Sequence, residues 1–376
     1  MNRRKIGILT SGGDCPGLNC TIRAVVSHAI LNYDWEVVGI PYATKGLLES
    51  RAIPLNLSNL AVHGIDPLIS LGGTILGSIN RGDTLDRSKE IIAGYEKLGL
   101  DGLIVIGGDG SLAILNQLAK EGDWKLVAIP KTIDNDVALT ERSIGFDSAV
   151  NTITEALHRL TFTAASHDRV MVVEVMGRSA GHLALHSGIA GGADIILIPE
   201  IPYSIAAICE KITELRSMRG RNFAIIVVAE GVKTETGQPS YYIDSLGQKR
   251  LRGISQYIAE QVDCNSPGTF ETRVTVLGHV QRGGLPSAGD RLMAAIMGKT
   301  AVDLLASEAY NSMVAWQNGK PTKVSLDEVL QRSPVSVDRE GYLVDTARSL
   351  GIYVGELSSV NSQAIEDLSL TSFAKG

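Results

Sequence analysis

The sequence predicts an α/β protein built from two doubly wound, mainly parallel-sheet domains with the active site in the cleft between them. Short apolar runs alternate with longer stretches of helical character, which is the order of βαβ units. Forty glycines among 376 residues, against an ordinary share near 7%, gather directly behind those runs, where strands turn into ligand loops. The length is too great for one compact core and suits two.

Runs at 5–9, 36–40, 103–106 and 125–129 read as buried strands. Runs at 170–175, 195–198, 223–229 and 274–277 repeat the rhythm in the second half. Between them, Val150, Ile153, Leu157 and Leu160 fall at helical spacing behind Asp147, an expected N-cap. Ile205, Ile208, Ile212 and Leu215 do the same behind Ser204. The connection 233–267 reads as irregular or inserted, and the stretch after Lys320 carries no recognisable chemistry.

A formal net charge of -6 supplies no basic field of the kind that draws nucleic acid or an anionic membrane, so small-molecule partners are expected. The apolar run 6–9 is too short for a signal-peptide core and no segment reaches the length of a membrane span, which points to a soluble, cytoplasmic protein. Cys15, Cys20, Cys209 and Cys264 lack C-x-x-C spacing and read as free thiols.

The chemistry centres on Pro130-Lys131-Thr132-Ile133-Asp134-Asn135-Asp136, directly behind the run 125–129. Two aspartates at a strand's end can divide labour, one taking a proton from a hydroxyl and the other holding a divalent cation against phosphate oxygens. Alone, the same residues would make an Asx-type turn. Thr10-Ser11-Gly12-Gly13-Asp14 precedes a helix carrying Arg23 and offers either a plain chain reversal or backbone N–H groups for an anion. Gly107-Gly108-Asp109-Gly110-Ser111 fits the dinucleotide fingerprint only in part, and its aspartate suits a magnesium ion bridging phosphates. Gly177-Arg178-Ser179-Ala180-Gly181 also matches the nucleophile elbow of serine hydrolases, with Asp263 and His279 following in the required order. His182 and His186 stand four apart but lack the glutamate of a zinc helix, so a helix-surface or core role is expected. Arg273, His279 and Arg282, around the run 274–277, suit a dianionic phosphate at one sheet end.

Together these blocks, with Gly72-Gly73-Thr74-Ile75-Leu76-Gly77-Ser78, Val173-Glu174-Val175-Met176-Gly177-Arg178 and Ala229-Glu230-Gly231, resemble the 6-phosphofructokinase family over residues 5–300. The resemblance implies transfer of the terminal phosphoryl group of ATP to the 1-hydroxyl of fructose 6-phosphate. It makes Asp134 the general base and Asp109 and Asp136 the magnesium ligands. Gly13, Thr132 and Arg178 would stabilise the transferring group, and Gly13, Arg81, Gly108, Asp109, Gly110 and Ser111 would hold the nucleotide. Thr132, Asp134, Asp136, Arg169, Met176, Gly177, Arg178, Glu230, Arg273, His279 and Arg282 would bind the sugar phosphate. It also implies a homodimer or homotetramer with shared sites, Arg169 and Arg273 reaching a neighbouring subunit's substrate. The domains would hold 1–145 with 281–320, for the phosphoryl donor, and 146–280 with 321–376, for the sugar phosphate. In resembling enzymes a glycine at the place of Gly110 accompanies ATP use and an aspartate there accompanies pyrophosphate use. A lysine at the place of Lys131 occurs with both donors, so pyrophosphate is the alternative donor and hydrolysis at Ser179 the alternative chemistry. The resemblance departs at Asn80, Ser27 and Thr161, each standing where the shorter bacterial enzymes place an arginine.

Overall fold

The computed structural model describes residues 3–58, 66–79, 85–243, 249–251, 253–266 and 268–355. The chain forms two compact units, 1–153 with 277–336 and 154–276 with 337–376.

In chain order the first unit holds β1 (Lys5–Thr10), α1 (Leu18–Tyr33), β2 (Glu36–Gly39), α2 (Thr44–Leu48), β3 (Ile53–Leu55), α3 (Ser88–Leu98), β4 (Gly102–Gly107), α4 (Asp109–Gly122) and β5 (Leu126–Pro130). The helix α5 (Phe146–His167) crosses into the second unit. There follow β6 (Arg169–Val175), α6 (His182–Ala190), β7 (Ile195–Leu197), α7 (Ile205–Arg219), β8 (Ala224–Ala229), β9 (Tyr241–Ile243), β10 (Lys249–Leu251), α8 (Ile254–Asn265) and β11 (Glu271–Val276). The first unit resumes with α9 (Ala288–Ala306), β12 (Ser312–Gln317), β13 (Lys320–Ser325) and α10 (Leu326–Arg332), and α11 (Tyr342–Ser349) returns to the second.

The first unit's sheet runs β13-β12-β5-β4-β1-β2-β3 and is parallel except at its two edges, where β13 and β3 pair antiparallel. β4 and β5 are buried along their whole length, as strands covered by helices on both faces must be, and hence read as unbroken apolar runs. Their register levels the strand ends: Thr10 pairs with Ile106, and Gly107 with Pro130. The loops after β1, β4 and β5 therefore leave one edge side by side. Because β1 connects onward to β2 on one side while β4 lies on its other side, that edge is a topological switch point, where open α/β sheets take their ligands.

The second unit's sheet, β11-β6-β8-β7, is wholly parallel, and β9 and β10 make a separate hairpin within the connection expected to be irregular.

Several expectations shift. Residues 321–336 belong with the first unit, not the second, because β13 folds back on β12 through Asn318-Gly319, both at positive φ. The other unit boundaries fall at 153 and 276 rather than 145 and 280. The last strand runs Glu271–Val276 rather than 274–277. Asp147 lies inside the first turn of α5 and does not cap it. The capping acceptor is the buried Asp290 on α9, which takes hydrogen bonds from Gly145 N (2.9 Å), Ser148 N (2.8 Å) and Ser148 Oγ (2.6 Å). Ser204 does cap α7, accepting from Ala207 N at 3.1 Å.

Asp290→Ala strips an acceptor from three buried donors at once, which should cost about 2–4 kcal/mol of stability. A urea midpoint equal to that of the unsubstituted protein would show that α5 does not rely on this cap.

Candidate active site

The three loops at the switch point of the first unit are locked together before any ligand arrives. After β1, Ser11 N donates to Ile106 O (3.0 Å) and Gly12 N to Ile79 O (3.2 Å). Gly12 has φ +85°, and a Cβ there would lie 2.8 Å from Ser111 Oγ, so the position admits glycine alone. The 72–78 loop is pinned by Thr10 Oγ1, which bonds Thr74 Oγ1 (2.9 Å) and Gly77 O (2.8 Å), and by the buried Asn19, whose side chain meets Leu71 O, Gly72 O and Ile75 N. The expected nucleotide contact Arg81 lies outside the described residues. α1 begins only at Leu18, so the 11–14 loop precedes that helix without being its first turn.

From β5, Lys131 turns inward. It is 3% exposed, and its ammonium donates to Gly13 O beneath the glycine loop. Burial, helped by the charge of Arg282, pulls the Lys131 ammonium below its ordinary value, opposed by the carboxylates of Asp14 and Asp134. Burial likewise pushes the Cys15 thiol up to about 12, so it is an inert packing group. Arg282, from the turn after β11, donates to Asp14 O (3.2 Å), and its guanidinium stands where a Cβ on Gly13 would be. Two cations thus approach the Gly13 loop, one from beneath and one alongside. His279 is exposed in the same turn.

The carboxylates gather beside them. Asp109 opens α4 behind Gly108, its N-cap, and among the described residues, its own chain neighbours and helix backbone apart, no atom lies within 4 Å of where a Cβ on Gly110 would stand. Asp134 N donates to Thr132 Oγ1 at 3.1 Å. Asp136 is pushed up from 3.8 to about 6, first by burial and then by the charges of Asp134 and Asp109, against the hydrogen bond from Thr132. Asp109 and Asp134 are thus close enough for their charges to act on Asp136. Hard oxygen donors that carry negative charge suit magnesium. Among the described residues no group of three or more histidine, cysteine or acidic side chains is arranged to hold a metal ion, so a cation here would also need oxygen ligands from bound phosphate or water.

In the second unit the expected substrate residues divide. Met176, Gly177 and Arg178 leave the carboxyl end of β6, Glu230 leaves that of β8, and the two loops are joined by Glu230 N to Val175 O (2.8 Å) and Gly231 N to Gly177 O (3.1 Å). Arg169 stands at the opposite end of β6, separated by its seven residues, roughly 20 Å of strand. It pairs with Glu271 at 3.1 Å, and Glu271 also holds Arg273. Of the expected cluster at one sheet end, Arg273 lies on β11 in the second unit and pairs with Glu271, while His279 and Arg282 lie in the turn that belongs to the first unit.

The elbow reading of Ser179 is not favoured. The left-handed residue is Gly177, at φ +127°, not Ser179, whereas an elbow strains the nucleophile itself. Asp263 accepts instead from Thr272 Oγ1 at 2.7 Å. His186 Nδ1 is engaged by its own helix at His182 O (2.8 Å). The lysine clamp on Gly13 was not foreseen; the lysine was visible, but its target depends on the β4–β5 register.

Comparison with known proteins agrees with this geometry. Residues 5–305 match the family described as Phosphofructokinase. Over 354 residues the chain is 64% identical to an ATP-dependent 6-phosphofructokinase of Trichormus variabilis, covering 94% of this chain and 99% of that one. It is 59% identical to one of Thermosynechococcus vestitus, with 94% of each covered. Among solved structures, phosphofructokinase from Pichia pastoris in the T-state superposes with a TM-score of 0.77 at 31% identity, over 88% of this chain and 36% of that much longer one. A pyrophosphate-dependent phosphofructokinase from Nitrosospira multiformis shares the fold, with a TM-score of 0.78 at 19% identity over 96% and 94% of the two chains. The chain belongs to the phosphofructokinase family.

A carboxyl moved from 3.8 to about 6 opposes folding by about 3 kcal/mol once ionised. The penalty is absent below pH 4 and complete above pH 6. In metal-free protein, Asp136→Asn should therefore raise thermal stability at pH 8 and lose that advantage as the pH falls toward 4. A gain of equal size at both pH values would show that the carboxylate cluster is not the cause.

Proposed function

We propose that this protein is an ATP-dependent 6-phosphofructokinase that transfers the terminal phosphoryl group of ATP to the 1-hydroxyl of fructose 6-phosphate. The observation that carries this is the trio Asp109, Asp134 and Asp136 at the ends of β4 and β5, facing the glycine loop with Lys131 and Arg282 beside it. Phosphoryl transfer asks for positioning and charge neutralisation more than for covalent chemistry. Asp134 takes the proton of the attacking hydroxyl. Asp109 and Asp136 hold magnesium, which when bound draws negative charge off the phosphate oxygens. Gly13, Thr132 and Arg178 stabilise the group in transfer. The Gly108–Ser111 loop and Arg81 receive the nucleotide. Met176, Gly177, Glu230, His279 and Arg282 hold the sugar phosphate, so the first unit serves the donor and the second chiefly the acceptor.

The space beside Gly110 supports ATP over pyrophosphate, since a carboxylate there would stand in the way of a nucleotide's inner phosphate. Lys131, held on Gly13 O, is compatible with either donor. Arg169 and Arg273 stand too far along the strand from Met176 to share its substrate within one unit, which supports a homo-oligomer in which they serve a neighbouring subunit. No helix among the described residues is long and apolar enough to cross a membrane, and a role in glycolysis supports a cytoplasmic location.

Coupled detection of fructose 1,6-bisphosphate, with ATP and then with pyrophosphate, tests the assignment directly, and turnover with pyrophosphate alone would reverse the choice of donor. Asp134→Asn should lower kcat by about 10²–10⁴-fold with little change in substrate binding; turnover near that of the unsubstituted protein would remove Asp134 as the base. Mixed oligomers of inactive Arg273→Ala and inactive Asp134→Asn protein should regain activity, because some hybrid sites then carry neither lesion. Proven hybrids that stay inactive would mean that each site is built within one chain.

A further inference from the structure

Asn135, between the two aspartates, has no part in the assignments above, yet its side chain is tied to the rest of the loop at both ends. Its backbone is left-handed, with φ +52°, a conformation that asparagine tolerates better than other side chains. Both ends of its amide are used. Oδ1 accepts from Ser143 N at 2.8 Å and from Ser143 Oγ at 3.1 Å, and Nδ2 donates to Glu141 O at 3.1 Å. Ser143 Oγ also reaches Thr132 O at 2.8 Å. One buried serine thus grips the chain before Asp134 and the side chain between Asp134 and Asp136, while Lys131 and Ile144 bridge the base of the same loop.

The clamp has a physical purpose. Without a cation the carboxylates of Asp109, Asp134 and Asp136 repel one another, and a loop free to relax would spread them. A base displaced by about 1 Å costs on the order of 10² in rate. We propose that Asn135 is a positioning residue, whose paired hydrogen bonds to Ser143 and Glu141 hold Asp134 and Asp136 at working separation whether or not a cation is present. The inference rests on the phosphoryl-transfer reading of the site.

Asn135→Gly keeps access to the left-handed backbone and deletes the clamp; Asn135→Ala loses both; Ser143→Ala removes the hydroxyl that grips Thr132 O. Expected is a fall in kcat of about 10-fold for Asn135→Gly and about 10²-fold for Asn135→Ala, with KM for fructose 6-phosphate within about threefold, since that constant is set chiefly by residues of the second unit. The Asn135→Gly, Ser143→Ala double variant should be little worse than the poorer single one, because the two side chains act as one unit. Mn2+, added with ATP and followed by its electron paramagnetic resonance signal, should bind about 5–10-fold more weakly to Asn135→Gly. A merely structural role would lower the melting temperature and leave kcat per folded site and Mn2+ affinity alone. Turnover and Mn2+ binding of Asn135→Gly within twofold of the unsubstituted protein, or effects that add in full, would overturn the proposal. If the unsubstituted protein itself fails to phosphorylate fructose 6-phosphate, the functional reading falls, and the Mn2+ titration alone still decides whether Asn135 organises the carboxylates.

Discussion

Much of the first unit is arranged around one unfavourable fact: three carboxylates at the ends of two buried strands stand within reach of one another's charge. Asp136, raised to about 6, records the strain. Groups around it make the strain tolerable or useful. Lys131 brings a buried positive charge beneath the glycine loop, Arg282 brings a second alongside, and Thr132 bonds both Asp134 N and the Asp136 carboxyl. A site complementary to a cation and to phosphate is less stable empty than a neutral one would be, and such sites persist because function requires them.

Elsewhere the same chemical groups do ordinary structural tasks, which makes the contrast informative. Glu174, one residue from the end of β6, takes Ser255 N (3.0 Å) and Ser255 Oγ (2.6 Å) and so fixes the start of α8. Asp194 holds Arg221 in a two-pronged pair at 2.7 and 2.9 Å and also accepts from Ile225 N. Arg23 is paired with Asp66. Each of these charges meets a partner within the protein, whereas at the switch point the charges of Asp134 and Asp109 bear on Asp136. Burial of an acid is therefore weak evidence of function here, and the crowding of like charges is the stronger sign.

How far the sequence could be read follows from the range of the interactions involved. Strands covered on both faces, β4, β5 and β8, announce themselves as apolar runs, and the acidic and glycine loops behind them are visible at once. β13 is not, because Lys320, Thr322 and Lys323 give an exposed edge strand little apolar content. The true cap of α5 could not be found locally, since Asp290 lies 145 residues from Gly145. Lys131 and Asn135 could be seen as residues but not as clamps, because their partners, Gly13 O and Ser143, are brought near only by strand register and loop closure.

The strand β6 has a consequence for how this protein can change over generations. It carries Arg169 at one end and the Met176–Arg178 loop at the other, and it is hydrogen-bonded on both sides, to β11 and to β8. Substitutions at either end can be tried separately. Insertion or deletion of a single residue within the strand cannot, because it would turn the remaining side chains to the opposite face and shift one end's residues relative to both neighbours. The length of β6 is thus a shared inheritance of two distant surfaces, and divergence between relatives should accumulate in its loops while the count of residues between them stays constant.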